Sequence, residues 1–355
     1  MASGPGFFVA PGTFHQRLQE GCREHSGDQA GIPWYTSDLY ADGNMVRAIA
    51  ARIIQTIATL WLATTAVFAL IHMSGDPTQG FLPPGVSPEL REGMRNELGL
   101  NDPLWQQYLT FIKRGFSWDF GESWRNNQPA LDAVIARLPA TLHLATVALV
   151  LSIVTGIGYA LLVNRPGRLR TVLHVLPSIG QAVPTFWLGA VLMLLFAVRL
   201  GWLPSSGRDS GAAIILPALT LALPPASTIA RLLATSMDDI AISDFVRTAR
   251  GKGLSQRAII SRHIAPNAIL PAIAYIGLQA GFLVGGAVVV ESLFAWPGIG
   301  RLALQSALQR DLPVIHAFVA VTAVGVILIN LLVDMTQIVI DPRLRSQNGL
   351  EVQRG

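Results

Sequence analysis

The side chains able to do chemistry in this chain are few and scattered. His15, Cys22 and His25 lie near one another at the start, but their spacing fits no metal-ligand pattern. Their polar, Gly-rich surroundings favour a disordered tail over a metal site. Cys22 is the single cysteine, which excludes an intramolecular disulfide and a cysteine-built metal centre. No G-x-x-x-x-G-K-[ST] is present to cradle ATP phosphates. There is no H-E-x-x-H and no G-x-S-x-G, and the histidines lack ligand spacing. What remains is a set of ionisable residues inside apolar runs: His143, His174, Arg231, His316 and Asp334. Such residues are functional suspects by default. Most of them fall within two turns of an expected helix end, where they can snorkel to water. Asp334 with Asn330 is the deepest pair by position, and a helix–helix hydrogen bond is the favoured reading over proton coupling.

The elements that position these residues are set by composition. Of 355 residues, 51% are hydrophobic and 14% charged, with a mean hydropathy of +0.45; a soluble domain carries about 25% charged residues. The apolar residues gather into runs of about 20, the length that crosses a bilayer as a helix. The fold class is therefore all-α: a polytopic membrane protein with six expected transmembrane helices. The net charge of +4 and pI of 9.6 call for no nucleic acid, because basic loops at a membrane face account for them.

Taken in order, residues 1–44 are a polar tail with none of the basic-then-apolar order of a signal peptide. Met45 opens MVRAIAARIIQTIATLW, which reads as a natural N-terminus, so translation is expected to start there. The first span occupies 49–72 within a 45–72 element. Residues 73–138 form an extracytoplasmic subdomain. There Ser87 is expected to cap a short helix that Gly99 stops, and a second helix begins near Pro103. Its Trp105, Tyr108, Trp118 and Trp124 suit interfacial anchoring more than ligand binding. The spans that follow are expected at 138–163, 173–198, 212–236, 269–290 and 314–340, inside a 139–345 core, with 346–355 a short tail. Pro177 and Pro184 should kink the third, and Pro217, Pro224 and Pro225 lie in the fourth.

The most polar stretch of the second half is 243–271, SDFVRTARGKGLSQRAIISRHIAPNAILP. It carries Arg247, Arg250, Lys252, Arg257, Arg262 and His263 against one acid, Asp244. If the N-terminus is cytoplasmic, inner flanks and loops hold twelve Lys/Arg against four in the short outer loops. That places both termini and this loop on the cytoplasmic side. Ser243 is the expected N-cap, Asp244 suits the positive end of the helix, and Phe245 and Ala249 share a face. Gly251 and Gly253 allow a sharp turn. Ser255 caps a second short helix that Pro266 ends. Physics alone leaves three readings open: a lipid-binding element, a docking element for a cytoplasmic partner, or a solvated basic loop.

Two further stretches stand out. Gly277, Gly281 and Gly285 lie on one face of the fifth span, where small residues let helices approach closely. After it, ESLFAWPGIGR supplies Glu291, Phe294, Trp296 and Pro297, an outer elbow suited either to contact with substrate or binding protein or to interfacial anchoring.

The 243–271 loop resembles the EAA loop of ABC-transporter permeases, in which Glu-Ala-Ala is followed by three residues, a Gly, and a Pro thirteen residues after that Gly. Arg247-Thr248-Ala249, Gly253 and Pro266 stand in those places. Arg247 departs from the Glu, Thr248 from the first Ala and Ala265 from a Leu. DFVRTARGKGL is similar to the form in the dipeptide/oligopeptide/nickel permease family. So are RIIQTIATL…SGDP, LREGMRNELGLNDPLWQQY, FGESW, RLPATLHLA, GGAVVVESLFAWPGIGRL and DPRLR. The resemblance spans roughly 46–345. It implies a type I ABC importer permease fold that opens alternately to either side. It also implies a loop helix, with Asp244, Arg247, Thr248, Ala249, Gly253 and Pro266, that docks on an ATP-hydrolysing subunit.

The implied function is the permease subunit of an ATP-driven importer of di- or oligopeptides. It catalyses no covalent chemistry and holds no cofactor of its own, since ATP is bound by partner subunits. The implied partners are a second permease, two ATPase subunits and an extracytoplasmic solute-binding protein. Nickel, glutathione, an opine or an antimicrobial peptide are alternative cargoes. An integral-membrane enzyme is the remote alternative, because no paired acids or His clusters with suitable spacing sit at the span ends.

Overall fold

The computed structural model describes residues 85–163 and 170–340, with scattered positions between 54 and 78. The tail 1–44, most of the first expected span, the loop 164–169 and the chain from 341 lie outside the described residues. Among the described residues the only regular elements are helices, with one isolated bridge, Glu122–Pro129, in keeping with the expected class.

The segment expected to form the extracytoplasmic subdomain begins with α1, Pro88–Glu97. The Ser87 Oγ accepts from Leu90 N at 3.3 Å, and Gly99 at φ +69° closes the helix. Helix α2, Leu104–Ser117, starts directly after Pro103. Its Tyr108 hydroxyl lies 2.8 Å from Thr65 Oγ1, and its Phe111 ring stacks 4.5 Å from His316. Trp105, Leu109 and Phe116 face outward. A short α3, Ala130–Ile135, was not legible in the sequence.

Helix α4, Leu138–Val163, matches its expected bounds. The third expected span is instead two helices: α5, Arg170–Ala182, and α6, Thr185–Leu192, the latter continued by a π-helical stretch Met193–Arg199. They meet at 98°. Pro184 has no N–H to continue α5, and it disfavours helical backbone at Val183. It serves as N-cap of α6 instead. Pro177 stays inside α5. Helix α7, Ile215–Ala241, keeps Pro224 and Pro225 in its interior and runs five residues beyond the expected end at 236.

After α8, Asp244–Gly251, the chain enters one long helical run. It comprises α9, Gln256–Ile259, a π-helical turn Ile260–Ile264, and α10, Ala265–Gly286. Then come α11, Val288–Leu293, α12, Ile299–Gln309, and α13, Leu312–Ile340. Long enough and apolar enough to cross a membrane are Ala130–Val163, Gly211–Ala241, Gln256–Leu283 and Leu312–Val333, beside the bent pair.

Helix α7 is the hub, packed by α4, α5, α6 and α10. Its main seam is with α4, where Ala140, Leu144, Ala148, Ser152, Gly156 and Ala160 are buried at every fourth position. Small residues at that spacing let two backbones come close. A Cβ on Gly156 would stand 2.9 Å from the Ala226 carbonyl oxygen, whereas one on Gly158 would meet nothing within 4 Å. Gly156→Leu should therefore lower stability by about 1–3 kcal/mol through overpacking, and Gly158→Leu should be neutral. Thermal unfolding in detergent separates the two, and equal melting temperatures would refute the seam.

Candidate functional site

The basic stretch is built around α8. Val246 is fully buried and Ala249 nearly so, in an apolar cluster with Met237 of α7 and with Ile259, Ile264 and Ala268 of the following helix. Two spanning helices thus grip α8 by one face. The other face carries Asp244, Arg247, Thr248 and Arg250, all exposed, with Phe245 49% exposed. The Thr248 hydroxyl donates to the Asp244 carbonyl at 2.9 Å. Among the described residues, Arg247, Arg250, Lys252, Arg257 and Arg262 pair with no acid.

The end of α8 explains Gly253. Its N–H bonds the Arg250 carbonyl at 3.0 Å, and Leu254 N–H bonds the Ala249 carbonyl at 3.3 Å. This pair of bonds is a Schellman motif, and it needs a left-handed residue at the position Gly253 fills. Gly253 has φ +78°. Gly251 stays helical as the last residue of α8, so the turn belongs to Gly253 alone.

Three sequence expectations about this stretch need correction. Ser243 stands at the N-cap with extended backbone, but its hydroxyl donates to the Ile240 carbonyl at 2.6 Å and does not cap α8. Phe245 and Ala249 do not share the buried face; Val246 and Ala249 do, spaced three apart. Pro266 does not end a second short helix. Ser255 does cap that helix, its Oγ accepting from Ala258 N at 3.3 Å, but the helix continues through Pro266 into α10. The π-helical turn, closed by the Ala265 N–H on the Ile260 carbonyl, carries the helix to a proline that fits its opening turn. Residues 256–271 are thus the first turns of the fifth span, and the loop proper is 242–255.

The glycine face of α10 meets α13. A Cβ on Gly277 would collide with Val333, and one on Gly281 would stand 3.3 Å from Asn330 Oδ1. The surroundings of the Gly285 position lie outside the described side chains.

The outer elbow is an interior construction. Glu291 is 0% and Trp296 1% exposed, and Phe294 is equally buried; Pro297 is half-buried. The Thr141 hydroxyl donates to Glu291 Oε1 at 2.6 Å and accepts from Ile299 N at 2.9 Å. Arg301 N donates to Glu291 Oε2 at 3.0 Å. Ile299 and Arg301 open α12, so the carboxyl group sits at that helix's positive end and accepts one of its orphan donors, while Thr141 accepts the other. Trp296 Nε1 donates to the Ala140 carbonyl at 2.9 Å. The Arg208 guanidinium lies 5.7 Å above the Trp296 ring. A Cβ on Gly298 would overlap the Glu291 carboxylate. Thr141 was not singled out in the sequence, because nothing local marks it as the partner of a residue 150 positions away.

The remaining suspects do not converge. His143 and Arg231 are exposed. His174 Nε2 lies 3.7 Å from Asp238 Oδ2, close enough for ion pairing but too far for a hydrogen bond. The side chain of Asp334 lies outside the described residues.

Residues 145–346 match the family of binding-protein-dependent transport system inner membrane components, and residues 45–145 match the N-terminal family of the same membrane components. The chain is 37% identical over 307 residues to the glutathione transport system permease protein GsiC of Escherichia coli strain K12. The match covers 85% of this chain and 99% of that protein. The counterpart from Shigella flexneri serotype 5b has the same identity and coverage. Among solved structures, the MetNI methionine ABC transporter in inward-facing conformations is similar over 59% of this chain and 96% of its own, at 19% identity and a TM-score of 0.47. An amino acid ABC transporter with histidines is similar over 59% of this chain and 93% of its own, at 17% identity and a TM-score of 0.47. The chain belongs to the binding-protein-dependent transport system inner membrane components: it is a multi-pass membrane permease of an ABC importer, which works with ATPase and binding-protein partners and is not itself an enzyme.

Proposed function

We propose that this chain is one of two unlike permeases that together form the path for short peptides, driven by two ATPase subunits and fed by an extracytoplasmic binding protein. The observation that carries the reading is α8. It is held to two spanning helices by Val246 and Ala249, while its outer face offers Phe245, Thr248 and unpaired cations. An apolar anchor among polar residues on a short helix suits a groove in a partner. Asp244, Arg247, Thr248, Ala249 and Gly253 shape and present that helix, and Pro266 opens the span behind it. ATPase closure draws α8 inward, and because α8 is wedged between α7 and α10 both spans tilt with it. Hydrolysis resets the cavity. Both termini and α8 are cytoplasmic in this reading, and the 85–129 subdomain is outside. Gly277 and Gly281 keep α10 close to α13 as the core moves.

The outer elbow is a rigid end-piece. Of its four singled-out residues, half-buried Pro297 retains surface for a binding protein, as does exposed Arg208 over the Trp296 ring.

A tripeptide such as glutathione has the chemistry of a short peptide, and the relatives' names favour it as the cargo to try first. Uptake of labelled glutathione, dipeptides and nickel should be compared in a deletion strain with and without this gene, in a background lacking other peptide importers. Glutathione or dipeptide uptake restored by the gene is the expected outcome. Restoration of nickel uptake alone would sink the peptide assignment.

A further inference from the structure

The spanning helices differ in what they leave uncovered. Helix α4 exposes Leu142, Val150, Val154 and Leu161, and α10 exposes Leu278 and Phe282. Such faces suit lipid. Helix α7 is like them only in its first half, at Ile215, Leu219 and Leu223. Beyond Pro225 its uncovered face turns polar: Thr228 is half-buried, and Arg231, Thr235 and Asp239 are exposed. The last three recur every fourth residue and so stand one above another on the helix. All four carry a hydroxyl or a charge, so the change from the Ile215–Leu223 half is one of chemistry along a single helix.

Arg231 stands farther from the helix end than the sequence implied, because α7 continues to Ala241. Ten residues separate it from that end, about 15 Å at 1.5 Å per residue. A lipid-facing guanidinium inside a spanning helix is disfavoured, so such residues face a water-filled cavity or a protein partner. Among the described residues Arg231 has no acid partner. The charged groups nearest along α7 are Asp238 and Asp239, two turns closer to its end. His174 of α5 faces Asp238 at 3.7 Å. The other sides of α7 are covered by α4, α5, α6 and α10.

We propose that the Thr228–Arg231–Thr235 face of α7 lines a water-filled vestibule of the path, and that Arg231 receives the anionic group of the cargo, a carboxylate on a short peptide. The inference rests on the importer reading above and deepens it. A guanidinium is weakly hydrated and presents a fork that matches a carboxylate bidentately, so the site selects for peptides, glutathione included, and against a bare metal cation.

The test needs no knowledge of the cargo. The full chain, assembled with its partner subunits in proteoliposomes, carries Cys22→Ser and Thr235→Cys. Its thiol is challenged with sulfonatoethyl (anionic) and trimethylammonioethyl (cationic) methanethiosulfonate. Val154→Cys serves as the lipid-facing control. Thr235→Cys should react and Val154→Cys should not. Adding Arg231→Gln should lower the anionic-to-cationic rate ratio about tenfold, since a unit charge roughly 6 Å away in water changes each reagent's local concentration about threefold in opposite directions. Arg231→Lys should keep the ratio. An unreactive Thr235→Cys, a ratio indifferent to Arg231→Gln, or a ratio lost equally with Arg231→Lys each overturns the proposal. Any of these leaves the importer reading standing, which the uptake experiment tests separately.

Discussion

Glu291→Ala is expected to destabilise the permease where α11 meets α12, at a cost of about 2–4 kcal/mol, the range for two buried donors left without an acceptor. Glu291 is fully buried, and its two oxygens accept from Thr141 Oγ1 and Arg301 N. Truncation orphans both donors, and each buried unsatisfied donor costs about 1–3 kcal/mol. The Thr141 oxygen still accepts from the Ile299 N–H, so α12 loses one partner in its first turn, the acceptor of the Arg301 N–H. Glu291→Gln should fall between wild type and Glu291→Ala, because an amide oxygen still accepts one of the two bonds but brings no charge to the helix end. Gly298→Ala should resemble Glu291→Ala, since its methyl group would overlap the same carboxylate. Membrane abundance and the melting temperature of the detergent-purified protein check this. An Ala variant that melts with wild type would show that the carboxylate is dispensable.

The second large effect falls on coupling. In the assembled importer, Gly253→Val should leave membrane insertion intact and abolish transport driven by ATP hydrolysis. A Cβ at this position would meet nothing within 4 Å, so crowding by neighbours is not the cause. The cause is the backbone: left-handed conformation at φ +78° costs an ordinary residue about 1–2 kcal/mol and a β-branched one more. Without that turn, the bonds onto the Ala249 and Arg250 carbonyls are lost, and α8 frays where it is presented to its partner. Asn tolerates the left-handed region, so Gly253→Asn should restore much of the coupling, an outcome that separates backbone geometry from any special need for glycine. The measurement is cargo transported per ATP hydrolysed in proteoliposomes. An unchanged ratio in Gly253→Val would remove the coupling role from this turn.

Much of this architecture is carried by local pattern. The apolar runs determine that the chain spans a membrane, since each helix satisfies its own backbone and needs only length and hydropathy. Ser87, Pro88 and Gly99 place α1, and the spacing from Arg247 through Gly253 marks both the α8 helix and its closing turn, because caps and left-handed turns act within a few residues. Helix α4 falls on its expected bounds for the same reason. What only the tertiary structure decided is pairwise and long-range. Pro184 reads as a kink, yet the chain turns by 98° there. Pro266 reads as a stop, yet a π-helical turn carries the helix through it. Gly156 and Gly158 are alike in sequence, but only Gly156 lies against the α7 backbone. Glu291 reads as part of an elbow for substrate, binding protein or interface, and it is fully buried, accepting from a threonine of another helix. Arg231 reads as a snorkelling end residue, and the true length of α7 puts it ten residues from the helix end on an uncovered polar face. For Gly156 and Glu291 the deciding quantity is which backbone or side chain arrives from elsewhere, and no short window of the chain encodes that.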